Sequence, residues 1–519
     1  MGNCATNLGR RPGKAPSNTG RVTRTARAVA GVAAAGLGTA AGQVLGTLFD
    51  PASAPLQAVG AAVIDLAPAG LKEWAISTVG TADKPLLVLT VVVALCVVGA
   101  VAGIGSARRA LTGDLLFAGL GLLGVLAALT RPDATLLDAL PSVLAAAVAI
   151  GVLRWQSRWA EPGDAGPELR RGFDRRLLLT GGAGLLGVLA TANLPAARGS
   201  APTTTPITIP RPKSPAPAFP TGLERTVAGV SPLRTPVSDF YRVDTALFVP
   251  GLETDQWRLE VTGMVANPFA ISWDELLAMP MIERDITLTC VSNEIGGPYC
   301  GSTRWLGVRV ADLLARAQPS PGAEQVLSTS SDGFTASTPL PVLLDGRDAM
   351  VAIAMDGQPL TREHGFPARL LTPGLYGYVG ATKWLTQLKL TTFAADEAYW
   401  TARGWAEQAP VKTATRIDTP HGSVNAGTIA IAGVAWATHR GISRVQVQVD
   451  DGPWQDARLG PDVGLDYWRQ WYLPWDATSG RHRLSARAYD GAGVPQTAQV
   501  QGVLPDGATG YHVIEVQVG

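Results

Sequence analysis

The stretch TLTCVSNEIGGPYCG, residues 287–301, ends an apolar alternating strand on a cysteine and opens it straight into a glycine-rich turn. Cys290 can be read as a buried hydrophobe, as half of a disulfide with Cys300, as a nucleophile or as a metal ligand. A disulfide fits the short separation in an oxidising compartment. A nucleophile needs a histidine base; His364 is the candidate by elimination, with no local signature beside it. Zinc needs three or four protein ligands, and no CxxC or HxxxH spacing lies nearby. A single thiolate on a soft, high-valent metal carried by an organic cofactor fits better, because the cofactor supplies the other ligands. An anionic cofactor also needs cations and backbone donors. The segment REHGFPARLLTPGLYGYVGATKWL, residues 362–385, offers His364, Arg369 and Lys383 among glycines that let the chain approach a ligand closely.

These residues belong to the second half of a chain with two unlike halves. Of 519 residues, 46% are hydrophobic and only 16% are charged, a low charge fraction for a soluble protein. Five nearly uncharged runs cover residues 28–49, 85–107, 115–130, 134–153 and 177–197. Each is about as long as a helix that crosses the hydrocarbon core, the third being short and drawing on its flanks. One such run can be a core helix; five in series cannot, since the segments between them are too small to bury them. Arg10, Arg11, Lys14, Arg21, Arg24 and Arg27 fall on one side, with Arg108, Arg109, Arg154, Arg158, Arg170, Arg171, Arg175 and Arg176. The other side has Lys72, Lys84 and Arg131. The basic bias predicts a multi-pass protein of the cell membrane with a cytoplasmic N-terminus and everything after Ala197 outside the cytoplasm. The loop 50–84 has helical spacing of apolar residues and is expected to lie on the outer surface.

No histidine precedes His364, which removes the ligands for a haem inside the bundle. Paired carboxylates are also missing from the spans, so anchoring is their expected role. Arg175 and Arg176 precede the last apolar run, as in a twin-arginine (Tat-like) export signal, or merely obey the basic bias. A net charge of +1 makes no electrostatic case for nucleic acid, and four cysteines make no disulfide framework.

The organisation expected is a transmembrane region at 1–197, a Pro/Ser/Thr-rich tether at 198–232, an α+β domain at 233–405 and an all-β domain at 406–519. The tether composition cannot form a core and favours extended chain. In the α+β domain, DQWRLEVTGMV and RDITLTC alternate as strands, SWDELLAM starts a helix at a Ser cap, and VRVADLLARA is amphipathic. After Pro410, short alternating strands and Gly, Asp or Pro turns suggest an antiparallel, immunoglobulin-like sandwich.

Cys290 followed by VSN, DGFTASTPL at 332–340, AMDGQPLTREHGFPARLLTPG at 354–374 and ATKWL at 381–385 together resemble the sulfite oxidase family of molybdenum enzymes. The resemblance runs in order from about Phe240 to Val518. It implies that Cys290 is the thiolate ligand of molybdenum, held also by one molybdopterin, and therefore that Cys290 is not bridged to Cys300. It implies cofactor contacts at Tyr241, Arg242, Asp244 and Thr245, at Asn293 and Asp332, at His364 and Arg369, and at Thr382 and Lys383. It implies that 406–519 is a dimerisation domain, so that a homodimer is expected.

The departures bear on the substrate. Members that oxidise sulfite hold it with arginines, and Val243, Ile295 and Gln501 stand at those positions. The active-site tyrosine position falls on Trp405, a second catalytic candidate. Charge-assisted hydrogen bonds to a dianion contribute roughly 1.5–3 kcal/mol each, so their loss predicts poor sulfite turnover. A neutral sulfoxide or N-oxide fits better, with Trp405 offering an apolar face and one N–H. Neither a CxxCH motif nor a ferredoxin-like cysteine set occurs, and no haem is expected. Electrons are expected to pass to or from a separate carrier protein or the quinone pool. The alternatives are a sulfite oxidase proper and a non-catalytic binding or sensor protein that keeps the fold.

Overall fold

The computed structural model describes residues 24–68, 83–106, 108–131, 134–159, scattered positions from 180 to 190, and 207–519 apart from position 248. The chain divides into two compact units. One comprises residues 1–60, 85–130 and 134–194; the other comprises 61–84, 131–133 and 195–519.

The first unit is helical. Its helices are α1 (Arg24–Phe49), α2 (Pro55–Leu66, which runs on into the second unit's first segment), α3 (Asp83–Ser106), α4 (Ala110–Leu129) and α5 (Leu140–Trp159). Among the described residues, four stretches, all but α2, are long and apolar enough to cross a membrane. Leu89, Val97, Leu115 and Leu122 are all more than half exposed. Small residues bring α1 and α3 together. A Cβ on Gly31 would lie 1.8 Å from the Gly99 carbonyl oxygen, and one on Gly103 would lie 1.9 Å from that of Arg27. The short third run gains its length on the N-terminal side, since α4 already begins at Ala110. The fifth expected span, 177–197, lies mostly outside the described residues, as do the twin arginine and the basic residues from Arg10 to Arg21.

The second unit carries the chemistry. Strands β1 (Arg258–Gly263), β2 (Phe269–Ser272), β5 (Gln325–Ser330), β6 (Thr335–Pro339) and β10 (Leu385–Thr391) form one sheet in the order β2-β1-β10-β5-β6. Strands β3 (Met281–Thr289), β4 (Cys300–Arg309), β7 (Met350–Met355) and β8 (Gln358–Pro359) form another in sequence order, with β9 (Arg369–Leu371) pairing with β7. Short helices α6 (Trp273–Ala278), α7 (Val310–Ala317), α8 (Leu340–Leu344) and α9 (Gly377–Gly380) connect them. Ser272 accepts from the Glu275 N–H while the Glu275 carboxylate accepts from the Ser272 N–H, a reciprocal cap that starts α6. Helix α7 buries Val310, Leu313, Leu314 and Ala317 in a core shared with β1 and β10.

The C-terminal region is two facing antiparallel sheets. One has the order β11-β13-β17-β16 (Ala414–Thr419, Gly427–Trp436, Arg469–Ala477, Arg458–Leu459). The other is β12-β19-β18-β14-β15 (Ser423–Val424, His512–Val518, Gly480–Asp490, Ile442–Val449, Gln455–Asp456), where the short β12 pairs in parallel. Trp471, Ile431, Leu484, Val447 and Val516 fill the space between them.

The stretch expected to be a free tether differs from that expectation wherever it is described. Lys213 N–H donates to Met281 O at 2.8 Å, and Ser214 bridges to Ile282 beside β3. Farther on, Val227 and Val230 are buried against Ala432. Backbone hydrogen bonds to a sheet edge and a few valines suffice to hold a segment whose composition alone favours free chain.

The C-terminal region also grips the turn after Cys290. Arg416 donates to Gly297 O at 3.0 Å and to Ser231 Oγ at 2.8 Å, while its Nε pairs with Asp418 at 2.6 Å. The His512 ring lies against Gly296, where φ is +75° and a Cβ would come within 2.1 Å of Nε2, so only glycine fits. His512 Nδ1 accepts from the Ile417 N–H at 2.9 Å. Burial first, then the Arg416 charge, lowers the imidazole from 6.5 to about 4. A depressed folded value means the unfolded chain takes up the proton first, so this contribution is full above about pH 6.5 and is lost as pH falls through about 4. Unfolding followed by tryptophan fluorescence across that window is expected to show a shallower loss of stability in H512Q, whose amide oxygen accepts without titrating. Equal slopes in the two proteins would contradict this assignment.

Candidate active site

The β3–β4 hairpin builds the site. Thr289 pairs with Cys300, which leaves Cys290 to Tyr299 as the turn. Cys290 N–H donates to Tyr299 O at 3.0 Å, Asn293 N–H donates to Cys290 O at 3.1 Å, and Tyr299 N–H donates to Asn293 Oδ1 at 2.8 Å. The turn is thus closed on itself and presents the half-buried Cys290 thiol. Cys290 and Cys300 are both free. Cys300 is buried with Thr289 Oγ1 3.4 Å away, and burial pushes its thiol up to about 12.

Cys290 lines a cleft with a cavity volume of about 120 Å³. Tyr241, Asp244, Thr245, Asp332, His364, Arg369, Lys383 and Trp405 line the same cleft, so most of the predicted site residues meet there. Arg242, Asn293 and Thr382 do not line it. Arg242 Nε donates to Asp244 Oδ2 at 3.0 Å, Asn293 is spent on the turn, and Thr382 Oγ1 bonds Ser328 Oγ at 2.7 Å between two buried segments. Sequence reasoning missed Ser292, Ser330, Phe334, Tyr378 and Trp400 in the wall. Ser292 and Phe334 sit inside the quoted VSN and DGFTASTPL segments, and for Tyr378 and Trp400 the signal was the aromatic density of LYGY and YWTARGW.

The electrostatics are asymmetric. Arg369 opens β9 and is buried, with NH1 donating to His364 O at 3.1 Å and NH2 to Ala381 O at 3.3 Å. Among the described residues its Nε has no partner and no carboxylate forms an ion pair with it. Burial pulls the guanidinium down to about 10. Lys383 Nζ donates to Asp244 Oδ2 at 2.7 Å, and burial, against Asp244, brings it to about 8. Burial alone would raise Asp244, but Lys383, Lys84 and Arg242 hold its carboxyl well below the usual range. Burial, then Arg369 and Lys383, lowers His364 to about 4, and its neutral ring donates through Nε2 to Val237 O at 3.3 Å. Burial raises the Cys290 thiol, against hydrogen bonds from Ser292 and Val291 and the Lys383 charge. A bound metal would reverse that balance and deprotonate the sulfur outright.

The donor set suits an anionic group carrying a thiolate-bound metal. Among the described residues, three buried polar atoms on the cleft lining lack partners: Arg369 Nε, Ser330 Oγ and Trp405 Nε1. A buried guanidinium without a counter-charge costs several kcal/mol, which a bound anion would relieve.

Residues 246–400 match the family described as the oxidoreductase molybdopterin binding domain, which defines the class of this protein. An uncharacterized oxidoreductase, YuiH, of Bacillus subtilis strain 168 is 32% identical over 150 residues, 29% of this chain and 72% of that one. Mitochondrial sulfite oxidase of Homo sapiens is 28% identical over 293 residues, 46% of this chain and 52% of that one. The sulfane dehydrogenase SoxCD of Paracoccus pantotrophus superimposes with a TM-score of 0.46 at 24% identity, covering 51% of this chain and 75% of that one. The chain belongs to the sulfite oxidase family of molybdopterin-dependent oxidoreductases. It spans about half the length of the mitochondrial sulfite oxidases it matches.

Replacing Arg369 by Leu is expected to weaken cofactor retention roughly 10- to 100-fold, the range of one lost charge-assisted hydrogen bond. Molybdenum per polypeptide, measured by mass spectrometry after dialysis, checks it; full retention in R369L would remove Arg369 from the binding set.

Proposed function

We propose that this chain is a membrane-anchored molybdenum oxidoreductase, with its cleft outside the cytoplasm, that takes oxygen from a sulfoxide or N-oxide rather than giving oxygen to sulfite. The observation that carries the reading is the cleft wall. Val243 and Trp405 line it, while Ile295 and Gln501 do not; Arg369 and Lys383 are the cations there, and in this reading the anionic pterin takes up the Arg369 charge while Lys383 pairs with Asp244. A dianionic substrate would find little charge left to bind it, whereas a neutral S=O or N–O group needs only a donor and an apolar wall.

In this reading Cys290 holds molybdenum through its sulfur, and Tyr241, Thr245, Asp332, His364, Arg369 and Lys383 surround the pterin, with Asp244 holding Lys383 in place. Arg242, Asn293 and Thr382 support that set from behind. The group, when bound, supplies two-electron oxygen-atom transfer. The overall change balances as a sulfoxide plus two electrons and two protons giving a sulfide and water, with a quinol or a reduced carrier protein as electron source. His364, neutral and tied to Val237, is a fixed neighbour rather than a proton store at pH 7. The two-sheet region at 406–519 is read as immunoglobulin-like and as the pairing surface of a homodimer.

The molybdenum-loaded full chain in lipid discs is expected to turn over sulfoxides or N-oxides with a reduced viologen as donor, and sulfite at least 10-fold less efficiently, in line with the loss of charge-assisted contacts. C290S should abolish turnover and metal binding together. Substantial sulfite oxidation would overturn the substrate reading, and molybdenum retained by C290S would overturn the ligand assignment. For the topology, alkaline phosphatase fused after Gly519 is expected to be active and a fusion before α1 inactive; the reverse pattern would invert the orientation.

A further inference from the structure

The aromatic side chains around the cleft fall into two separate groups. Phe240 touches both Tyr241 and His364 beside Arg369 and Lys383. Tyr378, Trp405 and Trp400 form the other. Tyr378 and Trp405 have ring centres 5.5 Å apart at 53°, and Trp405 and Trp400 have theirs 6.1 Å apart at 76°. Val291, the residue after Cys290, packs in the same apolar cluster as these three, so this wall adjoins the thiol.

The second group has an unmet donor. Trp405 is 4% exposed, and its indole N–H has no partner. Leaving such a group dry costs on the order of 1–3 kcal/mol, so it calls for an acceptor. The neighbouring Tyr378 hydroxyl does not compete, because it donates to Ala406 O at 2.6 Å and leaves its ring to the cleft. The nearby cation, Arg403, does not reach in either: it stacks on Tyr399 with its guanidinium carbon 3.7 Å from the ring centre. The wall therefore offers tilted ring faces and edges, one N–H donor and no free charge. Tilted aromatic contacts favour a flat ring as guest over a methyl group. A quaternary cation would favour the ring faces with a carboxylate beside them, and Asp332, the cleft's other acid, has one oxygen held by the Phe334 N–H of its own turn.

We propose that Trp400, Trp405 and Tyr378 form the substrate-selecting wall, and that the substrate is a planar aromatic ring bearing a neutral oxygen acceptor, an aryl sulfoxide or heteroaryl N-oxide, with Trp405 Nε1–H donating to that oxygen. This rests on the oxygen-transfer reading above and adds the class of substituent. Trp400 and Tyr378 set which ring is accepted; Trp405 sets where the oxygen lies relative to Cys290.

The test compares kcat/KM of the molybdenum-loaded full chain in lipid discs, with a reduced viologen as donor, for methyl phenyl sulfoxide against dimethyl sulfoxide and for pyridine N-oxide against trimethylamine N-oxide. The aryl member of each pair is expected to be preferred by roughly 3- to 10-fold, mainly through KM, the range of one or two aromatic contacts. W400L should bring that ratio toward one. W405F, which keeps the ring and loses the donor, should raise KM for every oxide by roughly 3- to 10-fold. The wild-type ranking needs no variant to fold. Equal use of aryl and methyl oxides, or an unchanged KM in W405F, would overturn this inference and leave oxygen transfer standing. A preference for trimethylamine N-oxide would overturn it in favour of a cation cage. Turnover of sulfite with none of the oxides would overturn both.

Discussion

A guanidinium buried without a carboxylate is the constraint around which this site is arranged. Arg369 gives two N–H groups to main-chain carbonyls and leaves its Nε unmet. A charge kept so far from water is costly, and backbone carbonyls offset only part of that. The face of Trp305, 5.3 Å from the guanidinium carbon, adds a weak attraction. The surrounding fold is built to hold the group there. Gly365, at φ +106°, lets the chain turn so that a Cβ would already crowd Arg369 and Lys383. Lys383, by contrast, has Asp244, a carboxylate that Lys84 and Arg242 also approach. Positive charge is therefore in local excess, with Arg369 the member that lacks a carboxylate, and an anionic cofactor is the partner that would make its burial tolerable.

The sulfur is held by different means. Its turn is fastened from within by Asn293 and from without by Arg416 and His512 of the two-sheet region. The C-terminal region thus does more than fill space: it fixes the backbone between Gly296 and Gly297, six residues or so from the thiol. A ligand sulfur must be held to within a few tenths of an ångström to present one geometry to a metal, and loop residues achieve this only when a rigid neighbour clamps them.

How much of this was legible in the sequence varies by element. The strand into Cys290 was legible from its alternation although it is buried on both faces. The capped start of α6 follows from Ser272 and Glu275, and the amphipathic α7 from local spacing, because one face meets core and the other water. The long apolar runs were legible for the same reason, since four of them are helices of membrane length. The packing of residues 207–232 was not, because what holds that stretch is the edge of β3 and the surface near Ala432, both distant in sequence. Nor was the diversion of Arg242, Asn293 and Thr382 into support. Alternation tells which side of a strand is buried but not, when both sides are buried, which side meets a cleft. Tyr378 and Trp400 were missed on that account: burial in a core and exposure to a cleft leave the same mark in composition.

The same limit governs the missing arginines, and here the structure takes the argument one step further. A cation lost at one position can be replaced from a neighbouring one. Around Val243 that has not happened, since the adjacent Arg242 is committed to Asp244. Around Gln501 the nearby Lys412 is committed to Asp506, which Gln501 itself also contacts. Ile295 lies against Gly510, where it contributes bulk and no charge. Beside Val243 and Gln501 the neighbouring cation is therefore already paired with a carboxylate. Of the three positions only Val243 faces the cleft, and an arginine restored there would meet Asp244 before it could serve a substrate.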